Sequence, residues 1–235
     1  MKTNDFVIRS ANVNGSGSAD PGKLAAWISA SHVEKAPKKK DPTPRKSDFS
    51  YQECDGKKRP VSIDLLAVLT DKQVKAKFKV ETISKLLVDR KLSVVDLIKL
   101  AKVSKDSEKG TCIEAIEFAT RAKPEIASPE CLKFVAETLL DKAPRVRWES
   151  AKVIGNIAHL YPNKLDKAIC NLLTNSEFSG SVVRWAAAFA LGEIVKLKTK
   201  LNRDLIPAVE AIIRREEDNA IRKIYQAALK KVASD

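Results

Sequence analysis

Val146-Arg147-Trp148, Val183-Arg184-Trp185 and Ile221-Arg222-Lys223 decide how this chain is read. In each, an apolar residue followed by an arginine opens an apolar run of helical period. The arginines stand 37 and 38 residues apart. Self-similarity at that period marks stacked helical hairpins, because one hairpin cannot bury its apolar stripe alone and neighbours must share a core. The expected fold class is all-α.

Outward from these triplets the helical period runs from residue 61 to the end, with no alternating stretch long enough for a strand. Helices are expected at 62–69, 71–90, 93–104, 108–122, 129–142, 144–161, 163–175, 181–198, 203–216 and 219–233. Their starts carry local causes. Ser128 before Pro129 pairs a capping hydroxyl with a first-turn proline, and Cys131, Leu132, Val135, Ala136, Leu139 and Leu140 form the stripe that follows. Ser93 caps a stripe of Val94, Leu97, Ile98 and Ala101. Pro124, Pro162 and Gly180 mark breaks. The helices pair into five hairpins: 62–90, 93–122, 129–161, 163–198 and 203–233.

These residues give the chain its likeness to a family. Leu139-Leu140-Asp141 leads to Val146-Arg147, with Ala151 and Gly155 following; Val183-Arg184 leads to Ala188 and Gly192; Leu205, Pro207 and Glu216 lead to Ile221-Arg222. The pattern resembles that of HEAT-repeat proteins, which are armadillo-like α-solenoids. The likeness is strongest over 129–233. It thins at Asp71, Lys75 and Lys77, between Lys105 and Cys112, and at Gln226 and Lys230, where Ala and Gly are expected. A polar last helix suits a capping repeat that faces water. The resemblance implies about five HEAT-like hairpins whose second helices line a concave surface. HEAT-like DNA alkylation repair proteins are remote relatives of this pattern, and so are lyases that attach bilin pigments, which nothing specific in the chain supports.

The chain has 235 residues, 44% of them hydrophobic, enough for a sizeable core. Its formal charge of +13 favours acidic partners. Residues 1–60 differ in kind, with Gly15-Ser16-Gly17-Ser18, Pro37, Pro42 and Pro44. They read as a basic, largely irregular extension with one short helix at Pro21–Val33, set apart from a solenoid at 61–235. That extension holds 12 basic and 7 acidic residues, leaving 31 and 23 for the repeats, so both parts are basic. No apolar run approaches the ~18 residues of a membrane span, and no signal-peptide centre opens the chain. A cytoplasmic protein is expected, nuclear as the eukaryotic alternative. Cys54, Cys112, Cys131 and Cys170 form no C-x-x-C pair, and with only His32 and His159 beside them no metal site is expected. The last three fall in apolar patterns and read as buried free thiols.

Two readings attach to the triplets. Arg147 and Arg184, with Arg222 after them, form either a ladder to turns and neighbouring acids such as Asp141 or contacts to a partner. Trp148 and Trp185 occupy equivalent positions, so they either fill the seam between helices or grip a ligand beside Lys152 and Lys223. Lys38, Lys39, Lys40, Arg45 and Lys46 are the basic tail's candidates. Phosphate-loop, dinucleotide, zinc-protease and nucleophile-elbow motifs are absent. No cofactor is expected. The leading expectation is a non-catalytic scaffold holding an acidic protein or peptide on a concave face. Nucleic-acid binding is the alternative. A glycosylase-like enzyme comes third, with Glu149 and Glu193 its only acids to nominate.

Overall fold

The computed structural model describes residues 65–234. The short helix at Pro21–Val33, the basic tail, Cys54 and the boundary near residue 60 lie outside them. Among the described residues there are ten α-helices and no strand. They are α1 (Leu65–Thr70), α2 (Ala76–Val88), α3 (Val94–Val103), α4 (Asp106–Ala122), α5 (Pro129–Thr138), α6 (Pro144–Ile157), α7 (Asp166–Asn175), α8 (Ser181–Val195), α9 (Asn202–Arg215) and α10 (Asn219–Ser234). The five expected hairpins are present.

The expected starts hold for local reasons. Ser93 Oγ accepts from Val95 N–H at 3.2 Å, and Ser128 Oγ accepts from Cys131 N–H at 3.3 Å with Pro129 in the first turn. The ends are tighter than periodicity alone suggests. The helix expected over 71–90 begins at Ala76, and the one expected to run to 142 closes at Thr138. The helix expected to reach 161 turns into a 3-10 segment at Ala158–Leu160. Apolar residues beyond these ends pack without continuing the helix. Leu139 is fully buried just past α5, where the chain must already turn toward α6.

The helices form two layers around one continuous core. The second helices α2, α4, α6, α8 and α10 pack side by side along the whole array, while the first helices α3, α5 and α7 meet more sparingly. Small residues set the closer spacing: Gly155 lies under the Phe189 ring, and Gly192 lies against Ala228 and Ile224. An array whose layers differ in spacing curves toward the closer layer, so the second helices form its concave side. Polar clamps tie the units. Asn171 and Asn175 side chains donate to Ala136 O at 2.8 Å and Leu139 O at 3.0 Å, carbonyls that the end of α5 leaves open. Asn156 also crosses between units, its Nδ2 donating to Glu117 O at 3.2 Å and to Thr120 Oγ1 at 3.3 Å inside α4. Cys112 and Cys131 are buried free thiols, whereas Cys170 is exposed. Helix α7 turns Ala168, Asn171, Leu172 and Asn175 inward, which points Cys170 to solvent.

Candidate functional site on the second helices

The ladder runs between units. Arg184 forks onto Glu216 of the next unit, Nε to Oε2 at 3.0 Å and Nη2 to Oε1 at 3.3 Å, while Nη1 donates to Phe178 O and Ser179 O. Arg147 donates to Asp141 O at 2.5 Å and to Asn175 Oδ1 at 3.1 Å, with its guanidinium 4.8 Å over the Phe178 ring. Asp141 thus receives Arg147 at its backbone. Its carboxylate accepts instead from Lys109 Nζ at 3.0 Å and from Ala143 N–H at 2.9 Å. Lys109 stands 38 residues before Arg147, so the ladder begins one unit earlier than the arginines reveal. Reading the position as "basic" rather than "arginine" recovers it. Arg222, in the last unit, is half-buried, and its Nε has no acceptor.

Partial burial works against the Asp141 charge, but the Ala143 N–H and Lys109 outweigh it and hold its carboxyl below the usual range. A carboxylate with a lowered folded pKa contributes stability above its unfolded pKa of about 3.9 and loses it as pH falls through the folded value. Asp141→Asn is therefore expected to flatten the acid limb of the stability curve below about pH 4. Urea melts of both proteins between neutral and acid pH check it; parallel curves refute it.

The second helices carry several aromatic and charged groups. Trp148 and Trp185 are both half-buried and packed against the core. Trp185 stacks on Phe189, one turn along its own helix, with centroids 6.1 Å apart and planes 5° from parallel. Phe189 was legible only as the next step of the same face. On α4, Arg121 lies 4.6 Å over the Phe118 ring. Lys223 is exposed at the start of α10.

Between α4 and α6 sits a charged cluster. Lys152 Nζ donates to Glu149 Oε2 at 3.0 Å and lies 3.3 Å from Glu117 Oε2, which makes no hydrogen bond. Trp148 Nε1 donates to Glu149 Oε1 at 2.6 Å, and Arg145 pairs with Glu114. Glu117 and Glu149 are 2% and 4% exposed, far below the norm for carboxylates. Burial opposes the charge of Lys152, yet Glu149 and Glu117 outweigh it and push the ammonium pKa up. Burial, then the nearby Glu149, pushes the Glu114 carboxyl up against the pull of Arg145. Glu149, an acid nominated for catalysis, is thus tied to an indole and an ammonium, and Glu193 is held by Lys196 at 2.6 Å. Burial pushes the Cys112 and Cys131 thiols up to about 12, leaving them unreactive. Among the described residues no cluster fits a metal ion, and no helix is long and apolar enough to cross a membrane.

No family model and no curated protein matches the sequence. Solved structures do match in fold. A computationally designed armadillo repeat protein for modular peptide recognition is 20% identical with a TM-score of 0.56, over 71% of this chain and 80% of that one. A designed armadillo repeat protein in complex with the peptide (KR)4 is 20% identical with a TM-score of 0.55, over the same shares. The complex of CpcE and CpcF of phycocyanin lyase from Nostoc sp. PCC7120 matches at 21% identity and a TM-score of 0.53, over 70% of this chain and 97% of that one. The chain has the fold of an armadillo/HEAT-like α-solenoid.

Proposed function

We propose that this chain is a non-catalytic binding scaffold that holds an extended segment of a partner protein along its second helices. The observation that carries the reading is the half-buried pair Trp148 and Trp185, at equivalent positions of adjacent second helices. Aromatics that the core holds while part of the ring stays exposed supply contact area at little entropic cost, as interface anchors do. Peptide recognition and a two-protein complex, which the structural neighbours display, lie in the same class. The net charge of +13 draws acidic partners from a distance, while the groove sets which segment fits. A nucleic-acid reading loses its best candidates, because Arg147 and Arg184 spend their donors inside the ladder.

Selection from a random-peptide display library with the full chain tests the proposal. Selected peptides are expected to lose about thirty-fold or more in affinity, ~2 kcal/mol, against the double variant Trp148→Ala and Trp185→Ala. Affinities are compared well below both melting temperatures, because Trp148→Ala also strips a donor from the buried Glu149 carboxylate and lowers stability. Equal affinity for the variant, or a library that yields no binder, overturns it.

A further inference from the structure

Each end of a stacked array lacks a neighbour on one side, and a terminal unit stays soluble by turning a polar face outward. The last helix keeps that rule, because α10 exposes no large apolar side chain. The first unit breaks it. Phe78, in the first turn of α2, is 55% exposed, whereas every other Phe, Tyr and Trp of the described residues is buried or half-buried. It stands in Lys75-Ala76-Lys77-Phe78-Lys79, where the likeness between units thins. Departures from the local rule without structural gain concentrate at functional positions.

The surroundings of Phe78 are cationic. Residues 71–91 hold seven basic and three acidic side chains. Lys79 turns inward, its Nζ donating to Leu69 O at 2.6 Å. Lys72, Lys75 and Lys77 stay exposed. Lys77 has Glu81 at 3.7 Å, but the two side chains are 86% and 52% exposed, so the pair contributes little. Positions 78, 81 and 85 fall on one face of a helix, and all three are exposed, which puts Lys85 on the face of Phe78. Past the end of α2, Arg90 is exposed and holds φ at 56°, a conformation where glycine is usual. The helix end needs no arginine there, because Lys85 in the last turn already complements its dipole. Cations thus flank the ring toward both ends of a helix about 20 Å long.

We infer that the outward face of α2 is a contact site for single-stranded nucleic acid. Phe78 is the stacking platform for a base, and Lys72, Lys75, Lys77, Lys85 and Arg90 face the phosphates. An exposed ring among cations suits a polymer that joins flat bases to a closely spaced row of anions. An acidic peptide would use the lysines and leave the ring idle, and a duplex keeps its bases stacked inside. The inference is independent of the groove reading, because it uses none of that groove's residues. It also avoids the ladder arginines, whose donors are already taken.

Fluorescence anisotropy of the full chain with a labelled twelve-base oligothymidylate tests it. An abasic strand with the same phosphates and a twelve-residue oligoglutamate are the comparison probes. Both are expected to bind about five-fold more weakly or worse, because neither offers a base to stack. Phe78→Ala should lower oligothymidylate affinity by about five-fold or more. It should leave the salt dependence and the melting temperature unchanged, because the ring is uncharged and exposed. Lys72→Gln, Lys75→Gln and Lys77→Gln together should instead flatten the slope of log affinity against log salt by about 2, at ~0.7 per phosphate contact. Arg90→Gly should flatten it by ~0.7 and raise or hold the melting temperature, because glycine adopts the left-handed backbone without strain. Lys223→Gln with Lys230→Gln on α10 is the control and should leave the slope as it is. Equal binding of the abasic strand, or unchanged affinity in Phe78→Ala, overturns the inference. So does a control that flattens the slope as much as the lysine triple, which reduces the binding to net charge. Equal binding of oligoglutamate assigns the face to an acidic protein, and a lowered melting temperature in Phe78→Ala shows the ring covered by the chain's own extension; either result overturns it.

Discussion

Replacing Arg184 with alanine is expected to lower the unfolding free energy by about 3 kcal/mol, at the lower end of the ~3–5 kcal/mol range for breaking a buried ion pair. The loss comes from Glu216 more than from the arginine. Its side chain is 4% exposed, and both its oxygens accept from the Arg184 fork. Removing the fork leaves a carboxylate shut away from water, with the Asp218 N–H at 3.0 Å as the donor left to it. The turn carbonyls of Phe178 and Ser179 lose their donor as well. A double variant, Arg184→Met with Glu216→Leu, should recover most of the loss, because no buried charge then stands alone. Chemical denaturation of the two variants beside the parent measures both terms. A loss under about 1 kcal/mol in Arg184→Ala, the scale of an exposed ion pair, refutes this account.

The ladder shows what a sequence conveys and what it conceals. Arg147, Arg184 and Arg222 announced the period because one residue type recurred at one register, and period alone was enough to set ten helices in five pairs. The partners do not recur. Asp141, Asn175 and Glu216 serve neighbouring rungs with a carboxylate, an amide and a carboxylate, and Lys109 replaces the arginine. The geometric requirement is a donor facing an acceptor across the seam, and several residue pairs meet it, so identity matching finds only some. The charged cluster was harder still. Glu114, Glu117, Glu149 and Lys152 look on paper like ordinary helix charges turned to water. Only the packing of α4 on α6 shows that Glu117 and Glu149 are buried. Helix ends escaped for a related reason: Leu139 and Leu140 extend the apolar stripe of α5 while the backbone is already turning.

Gly155 offers the other large effect, and its sign depends on a neighbour. A Cβ built there clashes with the Phe189 ring, nearest Cε1, with Cδ1 at 2.9 Å and Cζ at 3.2 Å. Gly155→Ala must therefore push that ring aside. Phe189 is stacked on Trp185 and half-buried, so moving it disturbs the aromatic pair as well. Overpacking of this kind costs about 1–3 kcal/mol, and alanine returns about 1 kcal/mol through helix propensity. A net loss of up to about 2 kcal/mol is expected if the ring stays in the seam. In a Phe189→Ala background the obstacle is gone, and the same substitution should become stabilising by up to about 1 kcal/mol. The coupling between the two sites, about 1–3 kcal/mol, lies within the range for residues in direct contact. A double-mutant cycle in urea reads it directly, and near-zero coupling refutes the claim that Gly155 exists to seat Phe189. Trp185 fluorescence reads the displaced ring in the same samples. A red shift in Gly155→Ala, absent from the double variant, ties the small residue of one unit to the aromatic face of the next.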